Sequence, residues 1–112
     1  MKISVENTEH YKWGSNCDGW HLLKSKSLSV IQERMPPGSS ECLHMHSRSQ
    51  QFFYVLCGTA TFLIDNDIQI ISAGESVHIP AGKKHLVSNN ENEALEFLVV
   101  SQPIAHGDRV DI

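Results

Sequence analysis

Three histidines carry the most distinctive chemistry of this sequence. His44 and His46 are separated by one residue, and His85 follows the turn-forming segment Pro80–Gly82 later in the chain. Because the side chains of a strand alternate between its two faces, His44 and His46 would present their rings on the same side of a strand. Neutral imidazole is the commonest metal ligand in proteins. The three side chains are therefore candidate ligands of one metal ion.

The composition is that of a small protein that handles small molecules. The 112 residues suit a single domain, and a hydrophobic fraction of 40% is enough for a core. The formal net charge is −4 and the nine Lys and Arg residues are scattered, which argues against nucleic-acid binding. No apolar run is long enough to cross a membrane, and residues 1–7 lack the apolar segment of a secretory signal. A cytoplasmic location is expected.

The three cysteines, Cys17, Cys42 and Cys57, contain no Cys-x-x-Cys pair. Neither a disulfide framework nor a thiolate zinc site is expected. Cys42 shares strand parity with His44 and His46, which leaves two interpretations. Its thiol either faces the same pocket or is buried and inert.

Short apolar segments separated by turn residues predict an all-β protein. Turn signals recur every eight to twelve residues or so, as in β-sandwiches and barrels, and no segment has a sustained helical period. We expect one domain, 1–112, with an N-terminal arm over 1–19, a C-terminal tail over 103–112, and a tight hairpin at Asp65–Asp67. The predicted strands are 20–23, 28–35, 43–46, 51–57, 59–64, 68–71, 76–79, 84–88 and 95–101.

Two blocks of fixed spacing resemble the signature of the cupin family. In this sequence they are Gly38, His44, His46, Gln51 and Gly58, followed by Gly74, Pro80, Gly82, His85 and Asn89. The resemblance covers residues 38–89 and implies a small antiparallel β-barrel of jelly-roll type. It further implies that His44, His46, Gln51 and His85 hold a metal ion on the inner wall. We expect Asn89 to form turn hydrogen bonds rather than to ligate the metal.

Gln51 stands where the family usually has a glutamate. An amide oxygen carries no charge, so a divalent ion at this site should keep its full positive charge and attract anionic small molecules. The metal should also be held less tightly. Three nitrogens and one oxygen suit Zn, Ni, Fe(II), Mn or Cu, and affinity alone does not choose among them. The alternative is that Gln51 is a pocket amide that does not touch the metal.

A reaction at such a site usually needs a proton carrier besides the metal. Glu33 is the candidate catalytic residue. It shares one face of a predicted strand with Ile31 and Met35, and a carboxylate is unusual there if that face points inward. Either Glu33 faces the pocket or Gln32 and Arg34 do, and the mixed polarity of both strand faces does not decide between them.

Two further segments each have two interpretations. Phe52, Tyr54 and Leu56 alternate with the residues expected to line the barrel, and they need cover from the opposite sheet or from a partner subunit. Small cupins are commonly dimers, so the resemblance implies a homodimer. The titratable tail residues 106–109 either close over the barrel mouth or cap it with a salt bridge.

The resemblance implies three functions, and fold alone does not choose among them. The first is a metal-dependent isomerase or lyase that acts on a small oxygen-rich metabolite such as a sugar, sugar acid or keto acid. Small cupins of uronate breakdown use the same three-histidine and glutamine arrangement. The second is a metal-dependent dioxygenase of the three-histidine type, and the third is a non-catalytic module that binds a metal or a metabolite.

Overall fold

Eleven β-strands and no helix make up the fold, as seen in a computed structural model that describes residues 1–112. No helix long and apolar enough to cross a membrane is present. The strands are β1 His10–Trp13, β2 Cys17–Lys24, β3 Ser29–Met35, β4 His44–His46, β5 Gln50–Cys57, β6 Thr59–Ile64, β7 Asp67–Ser72, β8 Ser76–Ile79, β9 His85–Ser88, β10 Leu95–Gln102 and β11 Arg109–Asp111.

The strands form two sheets. The six-stranded sheet has the order β1-β2-β3-β10-β5-β8, and the five-stranded sheet has the order β11-β4-β9-β6-β7. Neighbouring strands pair antiparallel throughout. The predicted all-β jelly roll is confirmed.

The core lies between the inner faces of the two sheets. Three aromatic rings lie at its centre: the ring of Phe53 lies 5.0 Å from that of Phe62 and 5.5 Å from that of Phe97, measured between centroids. Such tilted pairs combine apolar burial with a favourable ring geometry. The ring of Phe53 also lies 6.5 Å from that of His85, so this aromatic cluster is adjacent to His85 in the interior.

Strand β5 shows the alternation that the sequence predicts. Gln51, Phe53 and Val55 are buried, whereas Phe52, Tyr54 and Leu56 are 41%, 37% and 42% exposed. The opposite sheet therefore covers only the inner face of this strand.

The turns follow from residues that tolerate unusual backbone angles. The Asp65–Asp67 hairpin is confirmed, because Ile64 pairs with Asp67 and leaves a two-residue loop in which Asp65 has a φ of 52°. Gly58 has a φ of 83°, and a Cβ at this position would lie 2.5 Å from the carbonyl oxygen of Ala94. Only glycine fits there.

Asn89 is fully buried and forms turn hydrogen bonds, as expected. Its amide nitrogen donates to the carbonyl oxygens of Met35 and Glu93 at 2.9 and 2.8 Å, and its side-chain oxygen accepts from the Glu91 backbone at 3.1 Å. It thus joins the end of β3 to the loop that precedes β10.

The two ends of the chain are more regular than the sequence suggested. Part of the N-terminal arm is strand β1, which pairs with β2 around a turn where Gly14 and Asn16 have positive φ. This hairpin extends the six-stranded sheet at its edge. At the other end, β11 pairs with β4. Both added strands are short, so their alternation is too brief to be recognised in the sequence.

Candidate metal centre

Strands β4 and β9 bring the three predicted histidines together. His44 pairs directly with His85 across the two strands, and His46 lies two residues further along β4. One ring nitrogen from each of the three lies within 4.8 Å of the others. All three side chains are buried. This spacing suits three ligands of one ion.

Backbone carbonyls fix the orientation of two of the rings. The Nδ1 atom of His44 donates to the Cys42 carbonyl at 2.8 Å, and that of His85 donates to the Lys83 carbonyl at 2.9 Å. Each ring then carries its lone pair on Nε2, which is the tautomer that a metal requires. The Nδ1 atom of His46 is buried without a hydrogen-bond partner.

The three imidazoles are held in their neutral form. Burial, with smaller effects of the neighbouring His85 and Arg109, lowers the pKa of His44 and of His46 to about 4. Burial also lowers the pKa of His85. At neutral pH their nitrogens are therefore free to bind a cation without first losing a proton.

Gln51 adds an uncharged oxygen to this group. Its Oε1 atom lies 3.2 Å from Nε2 of His85, and its amide nitrogen donates to Oγ of Ser101 at 3.1 Å. Ser101 is its direct cross-strand partner on β10. The amide is thus placed beside the histidines, and the four side chains together fit a divalent transition metal with neutral N and O ligands.

Glu33 faces the same cavity. It lines the wall with Ser29 and Ile31, four and two residues earlier on β3, so the alternative with Gln32 and Arg34 facing inward is wrong. The Tyr11 hydroxyl donates to Oε2 of Glu33 at 2.7 Å. Burial raises the pKa of Glu33 to about 7, although the Tyr11 hydrogen bond and Arg109 oppose the rise.

Glu41 is a second buried carboxyl that the sequence analysis missed. Its Oε1 atom accepts from the Val87 backbone at 3.1 Å and lies 4.0 Å from Nδ1 of His44. Burial and the charge of Glu33 raise its pKa to about 8. Glu41 precedes β4 in a loop, where no strand alternation indicates which way a side chain points.

The C-terminal tail closes one side of the cavity. His106, Gly107 and Arg109 line it. The tail is fastened by Asp108, whose Oδ2 atom accepts from the backbone of Arg48 and Ser49 at 2.9 and 2.8 Å. Of the two interpretations of this segment, closure over the barrel mouth is the one that the lining residues support.

Cys42 agrees with neither of its interpretations. Its side chain is exposed and does not line the cavity. The parity argument is wrong here because β4 begins only at His44, and Cys42 lies in the preceding loop.

His44, His46, Gln51, Glu33 and Glu41 line a single cavity of about 490 Å³, and His85 lies directly beside the other two histidines. On its polar side, uncharged nitrogen and oxygen atoms that can bind a metal lie near the carboxyls of Glu33 and Glu41, whose raised pKa values favour protonation. Phe53 and Val99 form part of the apolar wall. A cavity of this size takes a small metabolite. It can bind an anion beside a metal and exchange a proton with it.

Comparison with known proteins assigns the chain to a family. The model of the cupin domain matches residues 31–101. An oxalate-binding protein from Thermotoga maritima is 32% identical over 85 residues, which are 71% of this chain and 70% of that protein. A crystal structure described as a predicted oxalate decarboxylase from the same organism superposes with a TM-score of 0.85 at 25% identity, covering 93% of this chain and 100% of the other.

Larger enzymes also contain a matching segment. A mannose-1-phosphate guanylyltransferase from Escherichia coli is 33% identical over 98 residues, or 86% of this chain, but the chain spans only 20% of that enzyme. The matched family region includes Glu33 and all four candidate ligands. On its sequence match and its jelly-roll structure, this chain belongs to the cupin family.

Proposed function

We propose that this cupin is a metal-dependent isomerase or lyase that acts on a small, oxygen-rich, anionic metabolite. His44, His46, Gln51 and His85 would hold a divalent transition metal. The observation that carries the proposal is that His44, His46, Gln51 and Glu33 line one small cavity, with His85 beside the other three ligands. A bound metal would supply Lewis-acid polarisation of a substrate oxygen.

Glu33 would act as the proton carrier. A carboxyl with a pKa near 7 exists in both protonation states at neutral pH, so Oε1 or Oε2 can take up a proton from a substrate carbon or oxygen and return it. Enzymes commonly raise a glutamate pKa to this range by burial. The Tyr11 hydroxyl leaves one of the two carboxyl oxygens free for the substrate.

Other residues of the cavity would select the substrate. Arg109 places a guanidinium at the cavity wall, where it favours a carboxylate or phosphate group. The uncharged ligand set also favours an anion, since no ligand cancels the charge of the metal. Phe53 and Val99 restrict the water that reaches the reacting atoms.

The similar proteins support this substrate class. Their names refer to oxalate, a small dicarboxylate, and to mannose 1-phosphate, a sugar phosphate. Both compounds are oxygen-rich anions. The oxalate-binding name also favours a second candidate, in which the domain binds a small carboxylate and performs no reaction.

The test combines metal analysis with a substrate panel. Protein purified without chelator should contain about one equivalent of a divalent transition metal, and turnover should be sought over sugar acids, keto acids and sugar phosphates in deuterated water. Glu33→Gln should lower kcat by about 100-fold or more while metal content stays unchanged. Glu96→Gln, which changes an outward-facing carboxyl on neighbouring β10, is the matched control.

Each other outcome contradicts the proposal in a distinct way. Saturable oxalate binding without turnover of any compound in the panel indicates the binding module. Substrate-dependent oxygen uptake indicates a dioxygenase. Full activity of Glu33→Gln would remove this residue as the proton carrier.

We also propose a homodimer formed through the outer face of the six-stranded sheet. Phe52, Tyr54 and Leu56 are partly exposed on adjacent outward positions of β5. An apolar sheet face of this kind is typical of protein interfaces. Light scattering after gel filtration should give twice the mass of the chain, and Phe52→Glu should reduce it to one chain mass; a monomeric wild-type protein would contradict the proposal.

A further inference from the structure

Three residues aligned across β1, β2 and β3 connect the edge of the sheet to the cavity. Tyr11 pairs with Gly19, and Gly19 pairs with Glu33. A Cβ built on Gly19 would overlap the Cζ and hydroxyl oxygen of Tyr11. The ring of Tyr11 therefore lies across β2 at the one position where no side chain blocks it.

This arrangement explains a glycine in an unfavourable place. Glycine in a strand interior costs conformational entropy and contributes no packing, and its presence often marks close approach of another group. Here the approaching group is the tyrosine, whose hydroxyl passes over β2 and donates to Oε2 of Glu33 at 2.7 Å. One whole strand, β2, thus lies between the Cα of Tyr11 and the residue that accepts its hydrogen bond.

We propose that Tyr11, reaching through the gap at Gly19, is a positioning residue that holds the Glu33 carboxyl facing the cavity. A glutamate side chain has several rotatable bonds, and a hydrogen bond from a rigid aromatic ring removes much of that freedom. The inference rests on the function proposed for Glu33. It adds that Gly19 and Tyr11 are required together.

The hydrogen bond from Tyr11 should have a measurable effect on the pKa of Glu33. Tyr11 from β1 and Arg109 from β11 act on the charge of Glu33, and Glu33 in turn acts on Glu41 in the loop before β4. Burial and the adjacent Glu33 raise the pKa of Tyr11 well above its usual value, so its hydroxyl keeps the proton that it donates. Loss of this donor should raise the pKa of Glu33, because the hydrogen bond favours the ionised carboxyl.

The experiment is a carbon-13 NMR titration of the Glu33 carboxyl in the metal-free protein. Tyr11→Phe keeps the ring and removes the donor, and it should raise the pKa of Glu33 by about one unit. Gly19→Ala should produce the same shift by displacing the ring. In the Tyr11→Phe background Gly19→Ala should add no further shift, and Tyr54→Phe, on the outer face of β5, should leave the pKa unchanged.

The outcomes separate this inference from the proposed function. An unchanged pKa of Glu33 in Tyr11→Phe overturns the positioning role, whether or not the protein has activity. If the pKa shifts as expected and Glu33→Gln keeps full turnover, the positioning stands and the catalytic role of Glu33 is wrong. Should Gly19→Ala fail to fold, Tyr11→Phe alone decides, since it removes a single oxygen atom.

Discussion

The Oε1 atom of Gln51 lies 3.2 Å from the Nε2 atom of His85. Since the Nδ1 proton of His85 is donated to the Lys83 carbonyl, Nε2 carries a lone pair, and two acceptors face each other. A cation between them resolves this arrangement. A rotation of the amide that turns its NH₂ group toward His85 resolves it as well. In the first case Gln51 is a metal ligand, and in the second it is a pocket residue that does not touch the metal.

Gln51→Glu distinguishes these two roles. If residue 51 ligates the metal, a carboxylate there should cancel part of the charge of the ion and raise Zn²⁺ affinity by about tenfold, or ~1.4 kcal/mol. Competition with a coloured chelator measures the affinity. The same variant should bind oxalate more weakly, because the site loses positive charge.

The neighbouring Gln50→Glu is the matched control. Gln50 is exposed on the other face of β5, so the same change of charge should leave Zn²⁺ affinity nearly unaltered. Equal affinities for Gln51→Glu and Gln51→Ala would show that residue 51 is no ligand.

The pH dependence of the metal-free protein provides a second test. Burial lowers the pKa of His44 and His46 to about 4, whereas an unfolded histidine has a pKa of about 6.5. Between these values the unfolded chain binds more protons, so these two residues should lower stability as the pH falls through this window. Titration of the ring protons by NMR should show both residues neutral at about pH 5. In urea-unfolded protein, the same residues should titrate at about pH 6.5; equal pKa values in the folded and unfolded states would contradict the burial.

Local rules were sufficient for the parts of the site that lie on strands with clear alternation. Parity on β5 correctly placed Gln51 inside and Phe52 outside, because each strand residue faces away from its neighbour. The two spaced blocks placed three histidines on two strands that prove to be paired. Turn residues such as Gly58 marked where those strands end.

The parts of the site that the sequence did not predict depend on contacts between distant segments. Tyr11 reaches Glu33 only because β1, β2 and β3 are adjacent and Gly19 leaves room, which no local pattern indicates. Arg109 joins the cavity because β11 pairs with β4, more than sixty residues earlier in the chain. Mixed polarity on β3 left the direction of Glu33 open until the packing of the sheets was known.

Two motif glycines with the same backbone angle should differ in what they tolerate. Gly58 and Gly38 have φ values of 83° and 80°, but an added Cβ meets the Ala94 carbonyl at 2.5 Å only at Gly58. Gly38→Ala should lose about 1–2 kcal/mol of unfolding free energy from left-handed strain alone. Gly58→Ala should lose a further ~1–3 kcal/mol through overlap with the backbone. Urea denaturation measures both, and equal losses would show that the Ala94 carbonyl moves aside freely.

Glu41→Gln should stabilise the protein at alkaline pH. The Glu41 side chain is 12% exposed, and burial followed by the charge of Glu33 raises its pKa from 4.5 to about 8. The folded state therefore binds more protons than the unfolded state over this window, and stability decreases as the pH rises through it. A glutamine cannot ionise, and its carbonyl can still accept from the Val87 backbone. We expect a gain of about 1–2 kcal/mol at about pH 8.5.

At about pH 5 most of the gain should be lost, because the folded protein then keeps Glu41 protonated and only the small cost of neutralising a carboxyl that ionises in the unfolded chain remains. The control is Glu91→Gln, which changes an exposed carboxyl and should alter stability equally at both pH values. Urea denaturation at the two pH values gives the four differences that are needed. A Glu41→Gln variant with the same stability as the wild-type protein at both pH values would mean that water reaches this carboxyl and stabilises its charge.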